Sequence, residues 1–460
     1  MLELADLPQR LTRNSLEYYY LSVWPGLLQL EPLGPDAPRP VRVESGYLHF
    51  PFCSGLCDFC SYFVVVSRDP ARDGRIGRHV DDLLLEIDLN QERFEIELSY
   101  LYLGGGTPSL LPSEQLDRLF AGLQSRGALA EQRVGTVEVH PEFFEDEQRA
   151  GAFLDVVQAH GITRVSVGFQ TADDALLEHT NRRHRSDFAG RAVEYLQSRG
   201  FTVNLDLMYG LPDQSVESWV VSLETVLALA PDSVSTYFMF LDPGTPLWRE
   251  VDRGAVALPS HELVQTQHLA AQLVLEQGGL VELPGDFWCK VDGDPAAFTQ
   301  TALPSEGNSL GLGAGAYGYY ADMQYFNHFS LTGYRKMLQE RRVPLWRGAV
   351  LSAEQHRCRD IMFSLKNSPC LRLDLFTARH GVSPLDTYPE VFDLLLGLDL
   401  VRVDSQTVRL TLKGRLLVEE IACLFEPAGH HAAARRENGA PMRLRRHNFA
   451  PTYSAGASRA

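Results

Sequence analysis

His49-Phe50-Pro51-Phe52-Cys53-Ser54-Gly55-Leu56-Cys57-Asp58-Phe59-Cys60 follows a strand-like run and places three cysteines within eight residues. The spacing is C-x3-C-x2-C, with an aromatic residue before the last cysteine. Three thiolates on one loop can reach three irons of a cubane and leave the fourth iron open to a substrate. A zinc site and three core cysteines are the competing readings. Zinc usually takes a fourth Cys or His at compact spacing, often from C-x2-C pairs. His49 is nearby, but it ends the apparent strand. The other cysteines, Cys289, Cys358, Cys370 and Cys423, are scattered, and the total of 7 is odd. That is no disulfide framework; it fits a reducing cytoplasm and a thiolate-ligated metal site.

Outward from this loop, strand-like runs alternate with amphipathic ones. The predicted strands are Gly46–Phe50, Glu97–Gly104, Val134–His140, Arg164–Gln170, Thr202–Gly210 and Asp232–Phe240. Val80, Leu83, Leu84 and Ile87 share one face of a predicted helix over His79–Phe94. Ser113 is placed to cap the next helix, and Thr171 with Asp174 resembles a capping box. Strands alternating with helices imply a parallel sheet with right-handed crossovers and a site at its carboxyl ends. The expected fold is α/β: a partial (β/α)6 TIM-like barrel with a C-terminal winged-helix-like domain.

The expected division is an extension over 1–45, a core over 46–330, a C-terminal domain over 331–426 and a tail over 427–460. Within the third part, helices are predicted over Ala353–Ser364, Leu373–His380 and Glu390–Leu398. A hairpin over Asp399–Val403 and Thr407–Thr411 follows, then a helix over Lys413–Leu424. The tail is poor in apolar residues, rich in Arg and expected to be disordered.

Composition narrows the function. Hydrophobic residues make up 45% and charged residues 22% of 460, ordinary for a soluble enzyme. A net charge of −17 argues against a general nucleic-acid surface. No stretch approaches the ~18 apolar residues of a membrane span. Met1–Arg10 shows no secretory signal, so a cytoplasmic protein is expected.

The cysteine loop and its preceding Tyr47-Leu48-His49 resemble the radical S-adenosylmethionine (SAM) superfamily. The resemblance is to the branch containing the oxygen-independent coproporphyrinogen oxidase, from about Tyr47 to Tyr317 and more loosely beyond. It implies a [4Fe–4S] cluster on Cys53, Cys57 and Cys60, and SAM, in two molecules, beside it. Leu103-Gly104-Gly105-Gly106-Thr107 is similar to the family's loop for the SAM amino group. Consecutive glycines also let backbone carbonyls approach a ligand, although a plain turn would look the same.

The resemblance places Tyr47, Phe59, Glu138, Gln170, Arg182 and Asp206 at the cofactor as well. Glu138, at a strand end, can accept from ribose hydroxyls; the alternative is an exposed acid. Asp206 lies in an apolar strand, where a carboxylate needs a partner. Arg182 is the expected one, either at the cofactor or as a structural salt bridge. Gly313 and Ala314, in Leu310–Tyr317, are similar to a segment that approaches a second SAM in relatives. Phe238, Phe240 and Asp242 correspond to the same region.

Three reactions are compatible with the resemblance. The coproporphyrinogen oxidases carry a further Cys two positions after the third ligand, where this chain has Tyr62. The heme chaperones of the branch carry Cys-Asp-Phe there. Because Ser61-Tyr62 departs from both, the expected relatives are methyltransferases and cyclopropanases of natural-product pathways. In that reading a second SAM donates one carbon to an sp2 carbon of a small-molecule substrate. A flavodoxin or ferredoxin supplies electrons, and ring closure can need a separate methyltransferase. A heme-opening enzyme is a further alternative.

Overall fold

The computed structural model describes residues 30–32, 41–182, 185–241, 245–283, 287–290, 293 and 308–425. Most of the 1–45 extension, the tail over 427–460 and Asp242 lie outside them. β1 (Glu31–Pro32) and β2 (Arg42–Phe50) come first. β3 (Phe52–Cys53) and β4 (Val65–Val66) form a small parallel pair around the cysteine loop. α1 (Gly74–Gln91), β5 (Glu95–Gly105), α2 (Ser113–Ser125), β6 (Leu129–Val139), α3 (Glu147–Ala159) and β7 (Arg164–Gln170) then alternate. α4 (Asp174–His179), α5 (Phe188–Ser198), β8 (Thr202–Tyr209), α6 (Val216–Leu229) and β9 (Ser233–Phe238) continue the pattern. After α7 (Pro246–Asp252) and α8 (His261–Gln277) comes a hairpin, β10 (Leu280–Leu283) and β11 (Phe287–Lys290). β12 (Ser309–Leu312), β13 (Tyr317–Tyr320), β14 (Met323–Asn327), α9 (Leu331–Gln339) and β15 (Leu345–Val350) complete the sheet and its cover.

The main sheet runs β1-β15-β14-β13-β12-β2-β5-β6-β7-β8-β9-β11-β10. Its middle, from β12 through β9, is parallel, and both ends are antiparallel. The six predicted strands form that middle, with β12 added beside β2. β10 to β13 have four residues each, too few to show a period in sequence.

Leu48, Leu103, Val137, Val165 and Val203 stand in register on β2, β5, β6, β7 and β8, each nearly fully buried. This apolar row is what the crossover helices cover. Strand side chains alternate between faces, so the neighbouring residues point the other way. There the row reads Tyr47, Tyr102, Thr136 and Arg164, followed by Glu138, Ser166 and Asn204. A parallel sheet that is polar on one face has kept that face for chemistry rather than for core.

Helix starts differ from the prediction in detail. α1 begins before His79 because Asp73 caps it, accepting from the Arg75 N–H. Pro112, not Ser113, holds the cap position of α2, and its side chain makes no cap bond. Asp173 caps α4 through the N–H groups of Ala175 and Leu176, while Thr171 accepts from the Asp173 N–H. A nearby carboxylate displaces a hydroxyl as cap wherever it reaches the orphan donors.

Residues 351–425 gather around a separate core that includes Ile361, Met362, Phe376, Phe392, Leu395, Val408 and Ile421. A three-stranded antiparallel sheet, Leu371–Arg372, Val401–Val403 and Thr407–Leu410, lies with it. The predicted last helix is two short ones, Leu412–Arg415 and Val418–Cys423. His356 meets the Tyr319 hydroxyl at 3.0 Å, and Arg415 pairs with Glu282 of β10, so this unit is tied to the main sheet. No helix among the described residues is long and apolar enough to cross a membrane.

Glu86 of α1 is fully buried and ties three elements together. It accepts from the Gly313 N–H at 2.8 Å, from Asn327 Nδ2 at 2.7 Å and from the Tyr334 hydroxyl. Burial raises its pKa from 4.5 to about 7, against the pull of those donors. Between these values the folded chain holds a proton that the unfolded chain has released. Its contribution therefore makes stability fall as pH climbs through that window. Glu86→Gln should flatten this part of the pH dependence. Urea midpoints at about pH 5 and about pH 8 should converge in the variant relative to the unaltered protein.

Candidate functional site

Cys53 ends β3, and Cys57 and Cys60 sit on the loop that follows. The loop is fastened from three sides. Ser67 N–H donates to the Cys53 carbonyl at 2.9 Å. Asp58 N–H donates to the Thr180 carbonyl at 3.1 Å, and Leu247 N–H to the Asp58 carbonyl at 2.8 Å. Asn181 Nδ2 donates to the Leu56 carbonyl at 2.7 Å. The cysteines are thus held at the carboxyl ends of the parallel strands by segments far away in sequence. Phe59 packs into a small apolar cluster with Leu211, Met239 and Leu247, which anchors the loop between Cys57 and Cys60.

The thiols are only partly reachable by solvent, and the protein around them disfavours charge. Burial pushes the Cys53 thiol up to about 12, with a bond from Thr107 opposing it. The Cys60 thiol is also raised, by burial and then by the neighbouring Cys57 and Cys53. Such thiols ionise readily only when a metal supplies positive charge. Among the described residues no three His, Cys, Asp or Glu side chains converge on one ion. A cubane needs no such convergence, because each thiolate meets its own iron.

The glycine loop lies directly against this site. Thr107 Oγ1 stands 3.2 Å from Cys53 Sγ, and its N–H donates to the Phe52 carbonyl at 2.7 Å. A Cβ on Gly106 would meet the Phe52 carbonyl oxygen at 2.6 Å and the Phe50 oxygen at 2.9 Å. A Cβ on Gly104 would strike the Tyr102 ring at 2.7 Å and the Glu138 carboxyl at 2.9 Å. Gly105 has φ +111°, a backbone that side chains rarely adopt.

Glu138 accepts from the Tyr102 hydroxyl at 2.6 Å and from the Gly105 N–H at 3.3 Å. Burial raises its pKa to about 7, the Tyr102 bond opposing. Tyr47 bonds His49 Nδ1 at 2.7 Å and packs 6.1 Å from Tyr102 and 5.2 Å from Tyr317, between ring centres. His49 Nε2 meets the Phe63 carbonyl at 3.0 Å. A carbonyl only accepts, so Nε2 carries the proton and Nδ1 accepts from Tyr47.

Arg182 brings the most telling geometry. Nη2 donates to the Gly168 carbonyl at 2.6 Å, and Nη1 points at Cys57 Sγ at 3.7 Å. Its Nε is buried without a partner among the described residues. A guanidinium left with one unpaired donor beside the cysteines suits a ligand carboxylate. Gln170 ends β7 with φ +73°, a conformation costly for a residue with a side chain.

Asp206 corrects the predicted pairing. It does not meet Arg182; it accepts from Ser166 Oγ at 2.9 Å and Asn204 Nδ2 at 2.8 Å, deeper in the sheet. Burial raises its pKa, and buried Arg164 acts against that. Arg164 itself reaches Thr136 and Ser233 at 3.4 and 3.3 Å. Phe240 packs edge-on to Phe238, with ring centres 4.7 Å apart. Gly313 turns with φ +105° beside the His49 carbonyl, whereas the Ala314 side chain belongs to a small core with Phe63, Leu89, Tyr334 and Leu338.

Arg164, Tyr102, Tyr317 and Glu86 do not stand out in the sequence. For the strand residues a signal is present all the same: each polar side chain stands two positions from another on one face. Taken as apolar runs, the strands hide that alternation.

Residues 47–226 match the family model of the radical SAM superfamily. The match implies a [4Fe–4S] cluster and SAM, and the thiols, the glycine cradle and the unpaired Arg182 Nε fit them. Across 84% of the chain it is 28% identical to heme chaperone HemW of Mycobacterium tuberculosis, 95% of which is covered. It is likewise 28% identical over 85% of the chain to the oxygen-independent coproporphyrinogen III oxidase of Escherichia coli, 87% of which is covered. The solved structure of the latter, described as a radical SAM enzyme, superposes with a TM-score of 0.73 at 27% identity, covering 88% of this chain and 96% of that one. The chain is thus similar to the radical SAM superfamily over residues 47–226 and, across most of its length, to these two kinds of relative.

This overturns the expected one-carbon transfer to a natural-product intermediate. The long relatives are a heme chaperone and a porphyrinogen oxidase, and the nearness to methyltransferases and cyclopropanases inferred from Ser61-Tyr62 falls with it. Two residues of a loop weigh less than the likeness of the whole chain.

Gly106→Ala tests the cradle, since the added Cβ meets two fixed backbone oxygens. SAM affinity, measured by equilibrium dialysis, should fall at least about tenfold while the circular dichroism spectrum stays unchanged.

Proposed function

We propose that this protein cleaves SAM reductively at a cluster held by Cys53, Cys57 and Cys60 and acts on a tetrapyrrole at the polar face of the sheet. The carrying observation is the convergence of Cys53, Thr107, Glu138 and Arg182 at the carboxyl ends of the parallel strands. The cluster and SAM together would supply one electron to the sulfonium and a 5′-deoxyadenosyl radical.

The residues divide the remaining work. The glycine backbone from Gly104 to Gly106 receives the amino group of the SAM methionine part. Arg182 Nε donates to its carboxylate, and Nη1 steadies the sulfur of Cys57. Glu138 takes the ribose hydroxyls, exchanging its Tyr102 bond for theirs. Asp206, Ser166 and Asn204 form the polar floor below. Gln170, held at its strained φ, lines the same end of the sheet. Tyr47 is oriented by His49, and with Tyr317 it walls one side. A tetrapyrrole matches both the aromatic group of Tyr47, Tyr102 and Tyr317 and the tetrapyrroles in its relatives' names. One SAM suffices for this reading.

The test is anaerobic. Cluster-loaded protein would receive dithionite and SAM, with coproporphyrinogen III or heme added, and products would be read by mass spectrometry. The expected outcome is 5′-deoxyadenosine whose yield rises with one of the two tetrapyrroles. Cys57→Ala should lose cluster absorbance and all cleavage. Tight heme binding with no 5′-deoxyadenosine from a loaded protein would replace the enzyme reading with a heme carrier.

A further inference from the structure

Among the basic stretches of this acidic chain, one lies just past the cysteine loop, against a proposed cluster ligand. Between Val65 and Arg78 lie four arginines, Arg68, Arg72, Arg75 and Arg78, against two aspartates, Asp69 and Asp73, in a protein of net charge −17. All four arginines are exposed, Arg72 to 89%. Arg75 pairs with Asp73 at 2.6 Å and Arg72 weakly with Asp69 at 3.7 Å. Farther along α1, Asp82 draws both Arg78 and Arg335 of α9, the latter at 3.8 Å. The positive face therefore continues onto the neighbouring helix.

This face is fastened to the first cysteine. Val66 of β4 lies opposite Cys53 of β3, and Ser67 N–H donates to the Cys53 carbonyl at 2.9 Å. Arg75 Nη2 donates to the Val66 carbonyl at 3.0 Å, and its guanidinium stands 5.9 Å from the centre of the Phe52 ring. Val66 is itself 37% exposed. A part-exposed valine, with Arg75 on its carbonyl and three further arginines following in sequence, thus sits one strand away from a proposed cluster ligand.

We propose that Val66 with Arg68, Arg72, Arg75 and Arg78 is the docking face for an acidic one-electron carrier protein of the flavodoxin or ferredoxin class. This rests on the radical SAM reading above. Reductive cleavage needs electrons delivered one at a time, and an acidic carrier is repelled by most of this chain's surface. Only an oppositely charged patch both attracts it and sets its orientation. Here the patch leads to Cys53 through a single pair of strands.

The test compares the cluster-loaded full chain with the triple variant R68E/R72E/R78E, leaving Arg75 to hold the Val66 carbonyl. Affinity for a bacterial flavodoxin would be measured by anaerobic titration calorimetry at about 0.05 M and about 0.3 M salt. The expected result is at least about tenfold weaker binding in the variant and a shallower salt dependence. Arg191→Glu, on α5, should leave the affinity unchanged. Dithionite, a small reductant, should still drive wild-type levels of 5′-deoxyadenosine in the triple variant, while flavodoxin-driven yield falls. Unchanged flavodoxin affinity in the triple variant, or an equal loss with Arg191→Glu, overturns the inference. No 5′-deoxyadenosine from the unaltered protein with dithionite would instead count against the enzyme reading, and the affinities would still decide the docking face.

Discussion

A parallel sheet wrapped by helices on one face must settle what its other face does. Here Leu48, Leu103, Val137, Val165 and Val203 meet the helices, and the residues beside them in each strand cannot do the same. They are Tyr, Thr, Arg, Glu, Ser and Asn, and buried polar groups must find partners or a ligand. The inner face answers with a network: Tyr102 on Glu138, Ser166 and Asn204 on Asp206, and Arg164 among hydroxyls. Where the network runs short, at Arg182 Nε beside the cysteines, the ligand is expected.

The cysteine loop depends on that frame. A stretch such as 55–66 would have no reason to hold thiols in place by itself. Its order comes from Thr180, Asn181 and Leu247, from the β3–β4 pair and from Phe59 packed among Leu211, Met239 and Leu247. Glu86 plays the matching part on the far side, fixing the Gly313 turn to α1 and α9. The two loops that border the site are therefore each held by residues distant in sequence.

What is legible in advance follows from this. The six central strands show in the sequence because apolar, β-branched runs recur between amphipathic ones, and the cysteine spacing speaks for itself. Short edge strands do not show, nor do caps that depend on which of two adjacent polar side chains reaches an orphan N–H. Arg182 and Asp206 match by charge alone. In space, Arg182 belongs to the strap over the cysteine loop, and Asp206 to the floor beneath it. Tyr62 stands at the site, its ring centre 6.3 Å from that of His49, yet it does not set the reaction class by itself. It is one 56% exposed side chain on a loop, set against a likeness that runs through most of the chain.

The surroundings of the thiols also govern how they age. Attack on peroxides and disulfides requires thiolate, and burial disfavours thiolate at Cys53 and Cys60. Burial therefore works against their oxidation in spite of their partial access to solvent. Iron removes the proton by its own charge, so the same pocket that resists oxidants remains open to metal. The burial that shapes the site thus also works against oxidation at two of its three proposed ligands, Cys53 and Cys60.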